Sequence, residues 1–180
     1  MTHRIYIKFK AHTDSTLAWL FNTPTFNGSN ASTWNRLRVH YKGDIKRIQV
    51  ETHSHATVYP YTLTTADNAL IHLSIKYSSS ATIMVIYDDN GTQLYTTNLN
   101  QGNMDGIHHN PSDPQTQRTF AGGNQPADND IDSFTPSSNA SIYYINVYDK
   151  YTTDSDDQSL ITYVNTVYTS EVSMENFTPV

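Results

Sequence analysis

Residues 69–98 read ALIHLSIKYSSSATIMVIYDDNGTQLYTTN, and this stretch carries the clearest structural signal in the chain. From Ala69 to Tyr77, apolar side chains alternate with polar ones, which is the period of a β-strand with one buried face. Two further segments, Thr82–Asp88 and Thr92–Asn98, flank an Asn90-Gly91 pair. Asn-Gly is typical of tight hairpin turns, because both residues tolerate positive φ angles. The stretch therefore predicts three strands, the last two joined as an antiparallel hairpin.

The same alternation recurs along most of the chain. In the segment Arg4–Lys10 it places Ile5, Ile7 and Phe9 on one face of a strand. The other face then carries Tyr6, Lys8 and Lys10. Further strands are predicted at residues 36–42, 46–52, 56–64, 141–149 and 158–170, with a short last strand at 171–178, while 16–21 fits a strand or a helical turn. Each alternating strand is expected to bury one face and expose the other. About nine or ten strands separated by turn residues predict an all-β fold, an antiparallel, jelly-roll-like β-sandwich.

The composition agrees with this fold class. The 180 residues include 24 Thr, 17 Ser and 16 Asn, whereas only 16% are charged. Asp outnumbers Glu by 14 to 3, and there are 13 Tyr. Thr and Tyr favour strands, Asn and Asp favour turns, and helices prefer Glu to Asp, so the balance argues against a helical protein. The length suits one domain spanning residues 1–180.

One segment departs from the strand pattern. Gln101–Asn139 is rich in Pro, Gly, Asn and Asp and has few apolar residues, so it predicts a long, flexible polar loop inserted within the domain. The formal charge is also uneven, at +5 over residues 1–76 and −11 over residues 77–180. If the two halves interleave, these charges neutralise one another; if they form separate faces, the resulting dipole suits packing with copies of the chain.

Several functions are disfavoured by what the sequence lacks. Residues 1–9 alternate where a secretory signal needs an apolar run, and the longest largely apolar stretch, residues 81–87, is too short for a transmembrane helix. No membrane partner is therefore expected. The chain has no cysteine, and its net charge of −6 disfavours general nucleic-acid binding.

The sequence does not predict an enzyme. There is no Gly-x-Ser-x-Gly elbow and no Gly-rich phosphate loop. The few Glu residues and the turn-bound Asp pairs give no clear acid and base for glycoside hydrolysis.

Two groups of residues are candidates for metal binding. Asp128, Asp130 and Asp132 have the spacing of the front of a calcium loop, but the Gly and the distal Glu of an EF-hand are missing. Asp154, Asp156 and Asp157 form a second acidic cluster; the alternative for both clusters is a solvated acidic turn. His53 and His55 share one face of a strand and suit a transition metal in a symmetric oligomer, or are simply surface histidines. Calcium is the one cofactor that this pattern suggests; otherwise none is expected.

Exposed aromatic rings favour a binding surface. Trp34, Tyr143 and Tyr148 are candidate stacking platforms for a sugar, with Asn and Asp side chains binding its hydroxyls. The tyrosines near the C-terminus fall on both faces of their predicted strands, so some of them must lie outside the core. Tyrosine is equally common at protein–protein contacts, and the sequence does not separate the two uses.

Two hypotheses for function follow. The first is a non-enzymatic structural protein of a virus or bacteriophage particle, such as a capsid decoration, fibre or tail component. It would self-associate or bind other virion proteins, and would be located in the virion after synthesis in the host cytoplasm. The alternative is a carbohydrate-binding module or lectin-like β-sandwich that binds glycans through exposed Trp and Tyr. Outside a virion, the chain is expected to be cytoplasmic or exported by a non-classical route.

Overall fold

The computed structural model describes residues 3–13, 17–23, 37–52, 57–77, 82–99, 123–124, 135–136, 140–148 and 154–169. Its strands in chain order are β1 (His3–Ala11), β2 (Leu17–Thr23), β3 (Leu37–Lys42), β4 (Arg47–Thr52), β5 (Thr57–Thr62), β6 (Leu70–Tyr77), β7 (Thr82–Asp88), β8 (Gln93–Asn98), β9 (Gly123–Asn124), β10 (Thr135–Pro136) and β11 (Ala140–Tyr148). One helix, α1 (Asp154–Val167), follows them.

Two antiparallel sheets form the body of the molecule. The five-stranded sheet has the order β11-β1-β6-β7-β8, and the four-stranded sheet has the order β2-β3-β4-β5. The two short strands β9 and β10 pair with each other. The inner faces of the two larger sheets share one hydrophobic core, so the prediction of an antiparallel β-sandwich is confirmed.

The core is built from the alternating positions that the sequence singled out. Ile5 lies opposite Ile75, and Ile7 lies opposite Leu73, in the β1–β6 pairing. All four side chains are fully buried. Burying one such side chain contributes about 1.5–3 kcal/mol, so these positions are a large source of stability. At the β5–β8 side of the sandwich, the rings of Tyr61 and Tyr95 stack with centroids 4.3 Å apart, linking the two sheets.

The β7–β8 hairpin forms where the Asn-Gly pair predicts it. Gly91 N donates a hydrogen bond to Asp88 O at 3.0 Å, and the Asp88 carboxylate accepts from the backbone amides of Asn90 and Thr92. Within this pair only Gly91 has a positive φ, at 83°. The turn is therefore a four-residue turn from Asp88 to Gly91 whose last residue is a left-handed glycine, and the Asp88 side chain stabilises it.

Replacing Gly91 with alanine is expected to lower the free energy of unfolding by about 1–2 kcal/mol, because a Cβ is unfavourable in the left-handed region. The added methyl group would also lie 2.6 Å from Gln158 Oε1, so the side chain of Gln158 must move. Urea unfolding measures the change. Asn90→Ala, in the same turn but without a positive φ, serves as the control and should shift stability by less than about 0.5 kcal/mol. Equal effects of the two variants would contradict this account of the turn.

The predicted strand at residues 158–170 is wrong, because most of this segment belongs to helix α1. The helix has no Gly or Pro, and its first turn contains three Asp residues, which interact favourably with the positive end of the helix dipole. Asp157, Ile161, Val164 and Tyr168 recur at spacings of three and four, so they share one helical face. That periodicity outweighs the strand propensity of Thr, Tyr and Val. The predicted strand at 171–178 lies outside the described residues.

Helix α1 covers the outer face of the five-stranded sheet. Ile161 and Val164 pack against Tyr6, Val85 and Tyr87, forming a second hydrophobic cluster. The expectation that β1 and β6 expose their polar faces is therefore wrong, since Arg4, Lys8 and Lys76 are at most 3% exposed. The sequence pattern of β1 and β6 could not show that α1 packs on this face, because α1 lies far from both strands in the chain.

The predicted loop at residues 101–139 is described only at β9 and β10, so its flexibility stays a prediction. In the part of the chain that the structure describes, no helix is long and apolar enough to cross a membrane.

Candidate functional site

A network of polar side chains lies between α1 and the five-stranded sheet. At its centre, Asp157 is fully buried and forms ion pairs with Arg4 and Lys76. Lys76 Nζ lies 3.0 Å from Asp157 Oδ2, and the Tyr87 hydroxyl donates to the same oxygen at 2.9 Å. One carboxylate thus compensates two buried cations, and it fastens the first turn of α1 to strands β1, β6 and β7.

His72 is the second centre of this buried network. The Tyr6 hydroxyl donates to Nδ1 at 2.6 Å, and Nε2 lies 3.3 Å from Asp89 Oδ1. Burial lowers the pKa of His72 to about 4, and the Lys8 ammonium adds to this effect, while the hydrogen bond with Asp89 opposes it. The imidazole is therefore neutral at pH 7, with its hydrogen on Nε2, where the Asp89 carboxylate can accept it. Burial also raises the pKa of Tyr6.

The side chain of Asn165 joins the last turn of α1 to the groups around His72. Lys8 Nζ donates to Asn165 Oδ1 at 2.7 Å, and Asn165 Nδ2 donates to the backbone oxygen of Asp89 at 2.6 Å. Nearer the start of the helix, Gln158 Nε2 donates to Gly91 O at 2.9 Å. The helix is thus fastened at both ends, which fixes where its outward side chains lie.

The buried network is suited to positioning rather than to reaction. Tyr6, His72 and Asp89 line up as hydroxyl, imidazole and carboxylate, the order seen in nucleophilic triads. However, Tyr6 and His72 are fully buried, and the raised pKa of Tyr6 disfavours the phenolate that would be a nucleophile. In the described part of the chain these groups hold α1 on the sheet and do not face a substrate.

Four tyrosines gather where the end of α1 meets strand β11, and we call Tyr144, Tyr148, Tyr163 and Tyr168 the tyrosine cluster. The Tyr144 and Tyr168 ring centroids lie 4.8 Å apart at an interplanar angle of 47°. The Tyr163 and Tyr168 centroids lie 6.3 Å apart at 72°. The hydroxyls of Tyr144 and Tyr148 are 2.7 Å apart, and burial, followed by this hydrogen bond, raises the pKa of Tyr148 to about 12.

The outer side of the tyrosine cluster faces solvent. Tyr163 is 52% exposed and Val167 is 51% exposed, and they lie one helical turn apart on α1. Asn146, on β11, is also exposed, and its Nδ2 donates to the Tyr144 hydroxyl at 3.2 Å. The surface thus combines an aromatic face, an aliphatic side chain, an amide and phenol hydroxyls. Such a combination binds a ligand that has both C–H surfaces and hydroxyl groups.

The structure describes two of the three predicted aromatic platforms. Tyr143 is half-buried at an irregularity in β11, with Lys8 Nζ 5.5 Å from its ring centroid. Tyr148 is half-buried and packs against the second hydrophobic cluster. Trp34 lies outside the described residues. The exposed ring of Tyr163 was missed as a site residue because its segment was interpreted as a strand; helical spacing would have placed it beside Val167.

Of the predicted metal-binding groups, the structure describes only the acidic cluster at residues 154–157. His53, His55, Asp128, Asp130 and Asp132 lie outside the described residues, so both metal sites stay predictions. The acidic cluster at 154–157 is not a calcium loop, because Asp157 is buried and bound by Arg4 and Lys76. Among the residues that the structure describes, no group of three His, Asp or Glu is arranged to hold a metal ion.

Comparison with known proteins gives similarity in fold only. No family model and no curated protein matches the sequence. Among solved structures, a sialidase from Trypanosoma rangeli in complex with 2,3-difluoro-KDN matches 94% of this chain with a TM-score of 0.58 and 10% identity. A second structure of that enzyme, with 2,3-difluorosialic acid, matches 89% with a TM-score of 0.53. The chain spans only 24% and 23% of these two sialidase chains.

A lectin structure overlaps a smaller part of the chain. Basic winged bean lectin with Tn-antigen covers 54% of this chain at 17% identity, and 52% of the lectin is covered in return. Its TM-score is 0.37. None of these three structures is of a virion protein, so the similarity gives no support to the predicted virion role.

Proposed function

We propose that this chain is a carbohydrate-binding β-sandwich domain that binds glycans at the tyrosine cluster. The single observation that carries the proposal is the half-exposed ring of Tyr163, held against Tyr168 in a cluster whose Tyr144 hydroxyl binds the exposed amide of Asn146. Single exposed apolar residues are ordinary on protein surfaces, but an aromatic ring, an aliphatic neighbour and hydrogen-bonding groups gathered at one place favour a ligand site.

The chemistry of sugars fits this surface. A pyranose presents a face of C–H groups, which packs on an aromatic ring, and a rim of hydroxyls, which exchange hydrogen bonds with amides and hydroxyls. The positions of Tyr163 and Tyr144 are set by the contacts between α1 and the sheet, and a pre-organised site loses less entropy when it binds. The buried polar network therefore supports binding indirectly, by holding the two halves of the site together.

A binding role is also favoured over catalysis. The aligned Tyr6–His72 pair is buried, and the sequence contains no nucleophile elbow. The sialidase likeness covers only part of that enzyme at 10% identity, so it supplies a fold and no activity. An assembly role in a virion would also use exposed tyrosines, but nothing in the described residues favours a protein partner over a glycan.

Replacing Tyr163 with alanine is expected to weaken glycan binding about tenfold, equivalent to ~1.4 kcal/mol, because the stacking surface is lost. Tyr163→Phe retains the ring and should retain most of the affinity. Isothermal titration with a glycan identified on a broad array measures both variants.

The control for this experiment is Ile45→Ala. Ile45 is an exposed apolar residue, 40% accessible, in the turn between β3 and β4, away from the tyrosine cluster. It should bind like the wild type. Wild-type affinity in Tyr163→Ala, or the absence of any array signal for the wild type, would refute the proposed function.

A further inference from the structure

We infer that the tyrosine cluster binds one uncharged pyranose at the end of a soluble glycan, rather than an acidic sugar or the flat side of a polysaccharide chain. This inference rests on the proposed function and adds the class of ligand to it. It is carried by three features: the angles between the rings, the charges around them, and the position of the hydrogen-bonding groups.

The ring angles disfavour a flat polysaccharide. A surface that binds an extended, flat chain needs aromatic rings that lie nearly in one plane, so that successive sugars stack on successive rings. Here the Tyr168 ring is inclined by 47° to that of Tyr144 and by 72° to that of Tyr163. The centroids are also only 4.8 and 6.3 Å apart, about the size of one sugar ring. Such rings form a corner that contacts one pyranose from its face and its edge.

The charges around the cluster disfavour an acidic sugar. No residue from 158 to 169 on α1, or from 140 to 148 on β11, is charged. The cations beneath the cluster already have partners, because Arg4 pairs with Asp157 and Lys8 Nζ donates to Asn165. From the residues that the structure describes, a carboxylate bound at this corner would gain no unpartnered cation in exchange for its water, and an unpaired charge is costly to desolvate. The acidic sugars held by the sialidase structures are therefore expected to be excluded.

The β11 side of the cluster presents an amide in addition to phenol hydroxyls. The exposed amide of Asn146 and the paired hydroxyls of Tyr144 and Tyr148 all belong to β11, whereas Tyr163 and Val167 on α1 offer ring and aliphatic surface. A sugar bound in the corner would direct its hydroxyl-rich edge toward β11 and its C–H face toward α1. This asymmetry predicts discrimination between sugars that differ in the orientation of a single hydroxyl.

The test compares four probes on the full chain: methyl glycosides of neutral hexoses and N-acetylhexosamines, the methyl glycoside of N-acetylneuraminic acid, soluble cello-oligosaccharides of increasing length, and insoluble cellulose. We expect at least one neutral monosaccharide to bind and to compete with its parent glycan. Its affinity should change less than about threefold when further sugars are added, since the corner contacts one residue. Tyr163→Ala should weaken this binding about tenfold, and Asn146→Ala should reduce the preference between epimers.

The outcomes separate the two proposals. Affinity that rises tenfold or more with chain length, retention on cellulose that no monosaccharide competes away, or preference for the acidic sugar would overturn this inference and leave carbohydrate binding intact. Failure of every carbohydrate probe to bind would instead overturn the proposed function itself. Loss of epimer preference in Asn146→Ala, with affinity retained, supports the assigned orientation of the sugar.

Discussion

Replacing Asp157 with asparagine is expected to lower the free energy of unfolding by about 3–5 kcal/mol. Asp157 is fully buried, and its carboxylate pairs with the buried side chains of Arg4 and Lys76. An amide has no charge, so both cations would lose their compensation in a place that water does not reach. The loss is a large part of the total stability of a domain, which is typically 5–15 kcal/mol.

The same variant should weaken glycan binding through the position of α1. Asp157 holds the first turn of the helix on the sheet, and the helix carries Tyr163 against Tyr168, whose ring contacts Tyr144 on β11. When that attachment weakens, the two sides of the tyrosine cluster separate more often, and less of the protein is competent to bind. The protected fraction of α1 amides in hydrogen exchange should fall together with the affinity.

Asp156→Asn is the matched control for Asp157→Asn. Asp156 is the preceding residue on α1, but it is exposed, so losing its charge beside the helix dipole and Arg4 should change stability by no more than about 1 kcal/mol. Urea unfolding of both variants at pH 7 measures the difference. If the two variants lose the same small amount, the ion pairs of Asp157 do not stabilise the fold as argued.

Lowering the pH from 6.5 to 4 is expected to remove about 3 kcal/mol of stability through His72 alone. Burial holds the pKa of the folded imidazole at about 4, against an ordinary value of 6.5. At pH 4 the imidazole of the unfolded chain is fully protonated, whereas that of the folded chain is only about half protonated. The contribution of His72 is fully present above pH 6.5, and it is lost as the pH falls toward 4.

The groups that face His72 set this behaviour. Strand β1 contributes Tyr6 and Lys8, the β7–β8 turn contributes Asp89, and α1 contributes Asn165. Protonation of His72 would place a second positive charge near Lys8. It would also put a hydrogen on Nδ1, which could then no longer accept the hydrogen bond from Tyr6. Acid therefore acts on the same contacts that hold α1.

The slope of stability against pH between 6.5 and 5 tests this prediction, because carboxylates contribute mainly at lower pH. His72→Gln removes the imidazole and should therefore remove from this slope the contribution of about one bound proton. Tyr6→Phe is the control: it removes a hydrogen bond but keeps the imidazole, so it should lower stability and retain the slope. An unchanged slope in His72→Gln would show that another group is responsible.

Much of the sandwich could be predicted from local pattern. The inner positions of β1 and β6, such as Ile7 and Leu73, follow a period of two that only a strand with one buried face requires. The β7–β8 hairpin follows from Gly91, because few other residues accept its positive φ. These features depend on interactions between near neighbours in the chain, so they are visible in the sequence.

The packing of α1 on the outer face of the five-stranded sheet could not be predicted from local pattern. Lys8 and Asn165 are 157 positions apart, and nothing in the pattern around either residue indicates that they share a hydrogen bond. The segment of α1 contains many Thr, Tyr and Val residues, whose strand propensity pointed to the wrong element. Its helical periodicity is visible once the buried positions from Asp157 to Val164 are known.

The sequence by itself therefore determined the sandwich, its inner faces and its principal turn, because alternation and backbone preference are local properties of a chain. Only the tertiary structure decided that α1 lies on the outer face of the five-stranded sheet. That packing buries Arg4, Lys76 and His72, and it leaves Tyr163 exposed against Tyr168 in the tyrosine cluster. The physical reason is that burial and charge compensation depend on which distant segments meet, and the candidate site exists only where they do.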